Sequence, residues 1–184
     1  MRLFVALDIP EVVRRNLADV MMTLRAAAPG ARWVRAEGMH LTLKFIGHVP
    51  PEKLEPIRGA LGAIRLQAPV EIRFRGLGFF PSERRPRVFW AGMEATPNLE
   101  ELAANLEGRL EPLGIAREQR PFKPHLTLAR FTEPRPAPKL LDAVRSLPGT
   151  EFGEMRTSEF RLFESRLKPT GAEYTVLATF RFAG

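Results

Sequence analysis

His40-Leu41-Thr42-Leu43 and His125-Leu126-Thr127-Leu128 are one tetrapeptide written twice, 85 positions apart, in a chain of 184 residues that has only three histidines. Side chains alternate faces along a strand, so each copy sends an imidazole and a hydroxyl one way and two leucines the other. The leucines anchor the strand in a core and leave the polar pair for a surface. The surroundings repeat as well. Ahead of the first copy lie an apolar run over residues 3–7 and a helical pattern of Val12, Val13, Leu17, Val20, Met21 and Leu24. That helix opens after Pro10 and closes at Pro29-Gly30. A short extended piece covers residues 33–35, and the motif strand covers 40–46. A helix opened by Pro51 follows, then strands over 70–80 and 88–93. The second copy follows a helix over 97–110 and sits in a strand over 125–131. A helix over 138–147 and strands over 158–165 and 173–182 complete the chain. The repeat predicts two similar lobes related by a pseudo-twofold, forming a single bilobal domain over 1–184 with a cleft between the motifs.

Composition bounds the chemistry. Hydrophobic residues make up 45% and charged residues 27%, enough apolar surface for a core and against dominant disorder. No cysteine is present, which excludes a thiol nucleophile, a disulfide framework and Cys-ligated zinc or iron–sulfur clusters. The absence of Cys also fits a reducing compartment. The apolar run over 3–7 is closed by Asp8 and Pro10 and is too short for a membrane span, so a cytoplasmic location without membrane contact is expected. A net charge of +7, from 23 Arg and 5 Lys against 21 acidic residues, fits a phosphate-bearing partner without defining one.

Two imidazoles facing each other with two hydroxyls between them suit in-line attack at phosphorus. A neutral histidine takes the proton of the incoming oxygen, and a protonated one delivers a proton to the departing oxygen. Thr42 and Thr127 would hold the non-bridging oxygens as charge builds. Each acid–base role is worth about a hundred- to ten-thousand-fold in rate. No cofactor is required, and His40 with His125 alone lack the further ligands that a metal site needs.

At these residues the chain resembles the 2H phosphoesterase superfamily, and within it the RNA 2′,3′-cyclic phosphodiesterases, also called 2′-5′ RNA ligases. The likeness extends through Arg2-Leu3-Phe4-Val5-Ala6-Leu7-Asp8-Ile9-Pro10, through Met39-His40-Leu41-Thr42-Leu43-Lys44-Phe45-Ile46-Gly47 and through Arg120-Pro121-Phe122-Lys123-Pro124-His125-Leu126-Thr127-Leu128-Ala129-Arg130. The resemblance implies an α+β fold of two lobes, each an antiparallel sheet with outer helices. It implies that His40 is the proton donor, that His125 is the proton acceptor, and that RNA ending in a 2′,3′-cyclic phosphate opens to a 2′-phosphate. It also implies reversible 2′-5′ ligation of RNA such as tRNA halves in the same site. A monomer is expected. A noncatalytic RNA-end binder is the alternative from a different class.

Other residues carry weaker expectations. Arg130 is a phosphate contact in the family pattern, yet strict alternation sets it opposite His125 unless the strand ends or bulges first. Parity puts Lys44 on the His40 face, either adding positive potential at the cleft rim or, more simply, as a solvated lysine. Phe45 and Phe131 read as aromatics that could stack on a base or, more commonly in strands, as core, and His48 as a structural or solvated loop residue. Arg84, Arg85 and Arg87, with Arg73 and Arg75 nearby, read either as an RNA patch or as a solvated turn that guards sheet edges.

Overall fold

The computed structural model describes residues 1–182. Strand β1 (Arg2–Asp8) is buried through its centre, with Leu3 to Leu7 each at most 2% exposed. The extended Pro10 precedes α1 (Glu11–Leu24), which buries Val13, Leu17, Met21 and Leu24 at helical spacing. Each such side chain contributes about 1.5–3 kcal/mol on leaving water. Then come β2 (Arg32–Trp33), β3 (His40–His48), α2 (Leu54–Gly62), β4 (Val70–Phe80) and β5 (Val88–Ala95). The second half continues with α3 (Asn98–Leu110), β6 (Leu126–Arg130), α4 (Pro138–Arg145), β7 (Glu151–Thr157), β8 (Glu159–Lys168) and β9 (Gly171–Arg181).

The strands form two sheets, four-stranded in the order β3-β1-β8-β9 and five-stranded in the order β2-β6-β5-β4-β7. All their pairings are antiparallel. This is the expected α+β architecture of two antiparallel sheets with helices. Strand β7 has no counterpart among the strands that the sequence pattern predicts. It buries only Phe152 and Met155, because Gly153 (φ 121°) breaks the alternation that marks a half-buried strand.

The sheets do not coincide with the halves of the chain. Strand order runs β1-α1-β3-α2-β4, then β5-α3-β6-α4-β8. Yet β1 and β3 are joined by β8, whereas β5 and β6 are joined by β4. Each sheet therefore takes its third strand from the other half. Leu41, Leu43, Leu126 and Leu128 lie in one continuous core. Phe4, Ala6 and Phe163 form a separate small cluster on the opposite face of the four-stranded sheet. Among the described residues, no helix is long and apolar enough to cross a membrane.

Candidate active site

The motif strands are joined through the short β2. Val34 N–H donates to Leu128 O (2.9 Å) beside the second motif, and six residues later the chain has reached His40. The segment from β2 to β3 thus links the strand beside the second motif directly to the first motif.

Each motif strand bulges at the same place. In the β1–β3 ladder, Ala6 opposes Thr42 and Val5 opposes Lys44, which leaves Leu43 as an extra residue. In the β5–β6 ladder, Trp90 opposes Thr127 and Phe89 opposes Ala129, which leaves Leu128 extra. A bulge turns two consecutive side chains to one face and inverts the parity of everything beyond. Lys44 is accordingly not a solvated lysine on the His40 face. It is 5% exposed, and its Nζ donates to Glu107 Oε1 (2.9 Å), Glu107 Oε2 (2.7 Å) and Ala116 O (2.7 Å). Phe45 returns to the cleft face and is 61% exposed, so it is not core. Its ring lies 6.1 Å from Phe4, which in turn stacks on His40 at 4.5 Å. Arg130 occupies the mirror position to Phe45. The bulge brings it back to the His125 face, exposed, in the row Phe80–Val88–Arg130–Arg32.

The two histidines are held alike. His40 Nδ1 donates to Gly38 O (2.8 Å), and His125 Nδ1 donates to Lys123 O (2.7 Å). A carbonyl only accepts, so Nδ1 carries a proton in each ring and Nε2 is the nitrogen left for chemistry. Thr42 and Thr127 are half-buried, and neither hydroxyl has a protein partner among the described residues.

Beyond this the mirror fails. His40 is packed by Phe4, by Phe163 (5.8 Å) and by the edge of Tyr174 (5.0 Å). His125 meets the edge of Phe80 (5.0 Å). Burial pushes the His40 pKa below its ordinary 6.5; the Gly38 carbonyl pulls it up, Arg14 pushes it down and Asp8 pulls it up. Asp8 opposes His40 in register and is bracketed by Arg14 and by Arg161 Nη1 (2.9 Å). Arg14 Nη2 also donates to Met39 O (3.1 Å), which fixes the residue before His40. Neither this cluster nor the aromatic shell is legible in the sequence. Phe4 and Phe163 sit in apolar strands that read as core, and only sheet pairing turns them to the cleft.

Elsewhere the candidates separate. Arg73 and Arg75 bind Glu154 (2.9 Å) and Glu94 (3.2 Å), which removes them from the basic patch. Arg84, Arg85 and Arg87 are exposed, and Arg87 Nη1 donates to Thr132 O (3.2 Å). His48 is exposed at the end of β3. No group of three or more His, Asp or Glu among the described residues could hold a metal ion.

Two antiparallel sheets that exchange strands between the chain halves, each holding one His-x-Thr strand, define the class of 2H phosphoesterases. A family model, LigT like Phosphoesterase, matches this chain twice, over residues 7–90 and 93–174, and the chain belongs to that family. It is 38% identical to an RNA 2′,3′-cyclic phosphodiesterase of Archaeoglobus fulgidus, over 98% of this chain and 99% of that protein. A crystal structure of a Thermus thermophilus protein superposes with a TM-score of 0.81 at 39% identity, covering 100% of this chain and 99% of that one. Escherichia coli LigT complexed with 3′-AMP gives a TM-score of 0.76 at 27% identity, covering 100% and 98%.

Proposed function

We propose that this protein hydrolyses the 2′,3′-cyclic phosphate at the end of an RNA to a 2′-phosphate, using the two histidines and no metal. The observation that carries this reading is the mirrored anchoring. Two Nδ1–carbonyl bonds leave the Nε2 atom of each histidine free, and each motif adds a Thr hydroxyl without a partner among the described residues, which supports a shared cleft. In the proposed reaction His125 Nε2 takes a proton from water as its oxygen bonds to phosphorus. The P–O3′ bond breaks, and His40 Nε2 protonates O3′. Thr42 and Thr127 donate to the non-bridging oxygens, with Arg130 adding positive charge from the cleft rim. The relatives' name, RNA 2′,3′-cyclic phosphodiesterase, supports the substrate class.

Burial favours neutral His40 in the free protein, so the acid role needs the phosphodiester anion to draw the proton on. The pH profile of kcat/KM is then bell-shaped. Its basic limb falls as pH rises through the lowered His40 pKa, because the free enzyme loses the proton it must donate. The test is turnover of a 2′,3′-cyclic-phosphate-terminated oligonucleotide in EDTA. His40→Ala and His125→Ala should each lose at least about a hundred-fold in rate, and the released product should carry a 2′-phosphate. Full activity in the double variant would sink the two-histidine mechanism. Salt-sensitive RNA binding without turnover would identify a noncatalytic binder instead.

A further inference from the structure

The five-stranded sheet contains one electrostatic conflict. Arg32 and Arg130 are directly opposed across β2 and β6, and both are exposed. Like charges facing each other across a ladder destabilise it. Elsewhere in the same sheet, arginines face carboxylates: Arg73 opposes Glu94 and Glu154, Arg156 opposes Glu71, and Arg75 opposes Glu151. Among the described residues, no other ladder position sets two arginines opposite each other, and neither Arg32 nor Arg130 has a carboxylate partner.

The conflict lies on the His125 face of the sheet. Cross-strand partners share a face, so Arg32 lies on the same side as Arg130, Val88 and Phe80, and Phe80 touches His125. Arg130 stands three positions beyond Thr127, roughly 10 Å along a strand rising about 3.3 Å per residue. Arg32 lies on the neighbouring edge strand β2, one strand across from Arg130. The first half has no equivalent: Phe45 takes the place of Arg130, and β3 is the edge of its sheet. The arginines on the His40 face, Arg14 and Arg161, are tied to Asp8, whereas Arg32 and Arg130 are not held by a carboxylate.

We propose that Arg32 and Arg130 together hold a backbone phosphate flanking the one that reacts, so that the protein distinguishes an RNA strand from a free cyclic mononucleotide. This rests on the phosphodiesterase reading above. A phosphate between two guanidiniums turns their repulsion into a pair of charge-assisted contacts. Arg32 is the residue that separates this role from contact with the reacting phosphate.

The experiment compares a 2′,3′-cyclic mononucleotide with a short RNA bearing the same terminus. In Arg32→Gln, the ratio of RNA to mononucleotide kcat/KM should fall about tenfold. Binding is read separately, by anisotropy of a labelled RNA ending in 2′-phosphate. The slope of log affinity against log salt should decrease by about 0.7, one single-strand phosphate contact. Arg32→Lys should recover part of that slope. Arg32→Glu should weaken binding further while holding or raising the melting temperature, because an ion pair with Arg130 replaces the repulsion. An unchanged ratio and slope in Arg32→Gln would overturn the proposal and leave Arg32 as a guard of the sheet edge. If wild-type protein turned over neither substrate but Arg32→Gln still lost slope, the catalytic reading would fail and the phosphate subsite would stand.

Discussion

At the scale of single residues, the site is a symmetric pair placed in unequal surroundings. Gly38 and Lys123 carbonyls fix the two rings identically, yet only His40 is walled by aromatic rings. That wall has a thermodynamic consequence separate from catalysis. With its folded pKa below 6.5, His40 binds fewer protons in the native state than in the unfolded chain between those two values. Stability should therefore fall as pH drops from about 6.5 through the folded pKa, and level off below it. Denaturant midpoints measured across this window should show the slope, and His40→Asn should flatten it. An equal slope in the variant would assign the pH dependence to other groups.

At the scale of elements, the paired bulges decide what each motif strand presents. The His-x-Thr face and its leucine anchors are legible from alternation alone, because the His and Thr of each copy precede the bulge. Alternation fails from Leu43 and Leu128 onward, since an extra residue in a ladder leaves no mark in a single strand's sequence. It misplaces Lys44 for this reason, and it leaves the face of Arg130 open. The bulge sends Lys44 into a buried bond with Glu107 that ties β3 to α3. Removing one partner strands a charge: Lys44→Ala should cost about 3–5 kcal/mol. The double replacement Lys44→Met with Glu107→Leu should restore most of it. Chemical denaturation of the two variants checks the prediction, and equal losses would show that the ion pair itself, rather than a stranded charge, carries the stability.

At the scale of the whole molecule, the duplication is visible in the sequence and the exchange of strands is not. Helices, motif strands and hairpins can be placed one by one, but which strand crosses to which sheet is decided by pairing between segments far apart in sequence. β8 completes the sheet begun by β1 and β3, and β4 completes the one containing β5 and β6. Neither half then owns a full sheet. Residues 1–85 and 86–184 expressed separately should show no cooperative unfolding, whereas mixing them should restore a cooperative transition and cyclic phosphodiesterase turnover. Independent folding of either half would contradict the interlocked arrangement. The strap from Val34, bonded to Leu128, to His40 adds a mechanical property. It is a tether: six residues of fully extended chain reach at most roughly 20 Å, so while the Val34–Leu128 bond holds, His40 stays within that reach of the strand that carries the second motif.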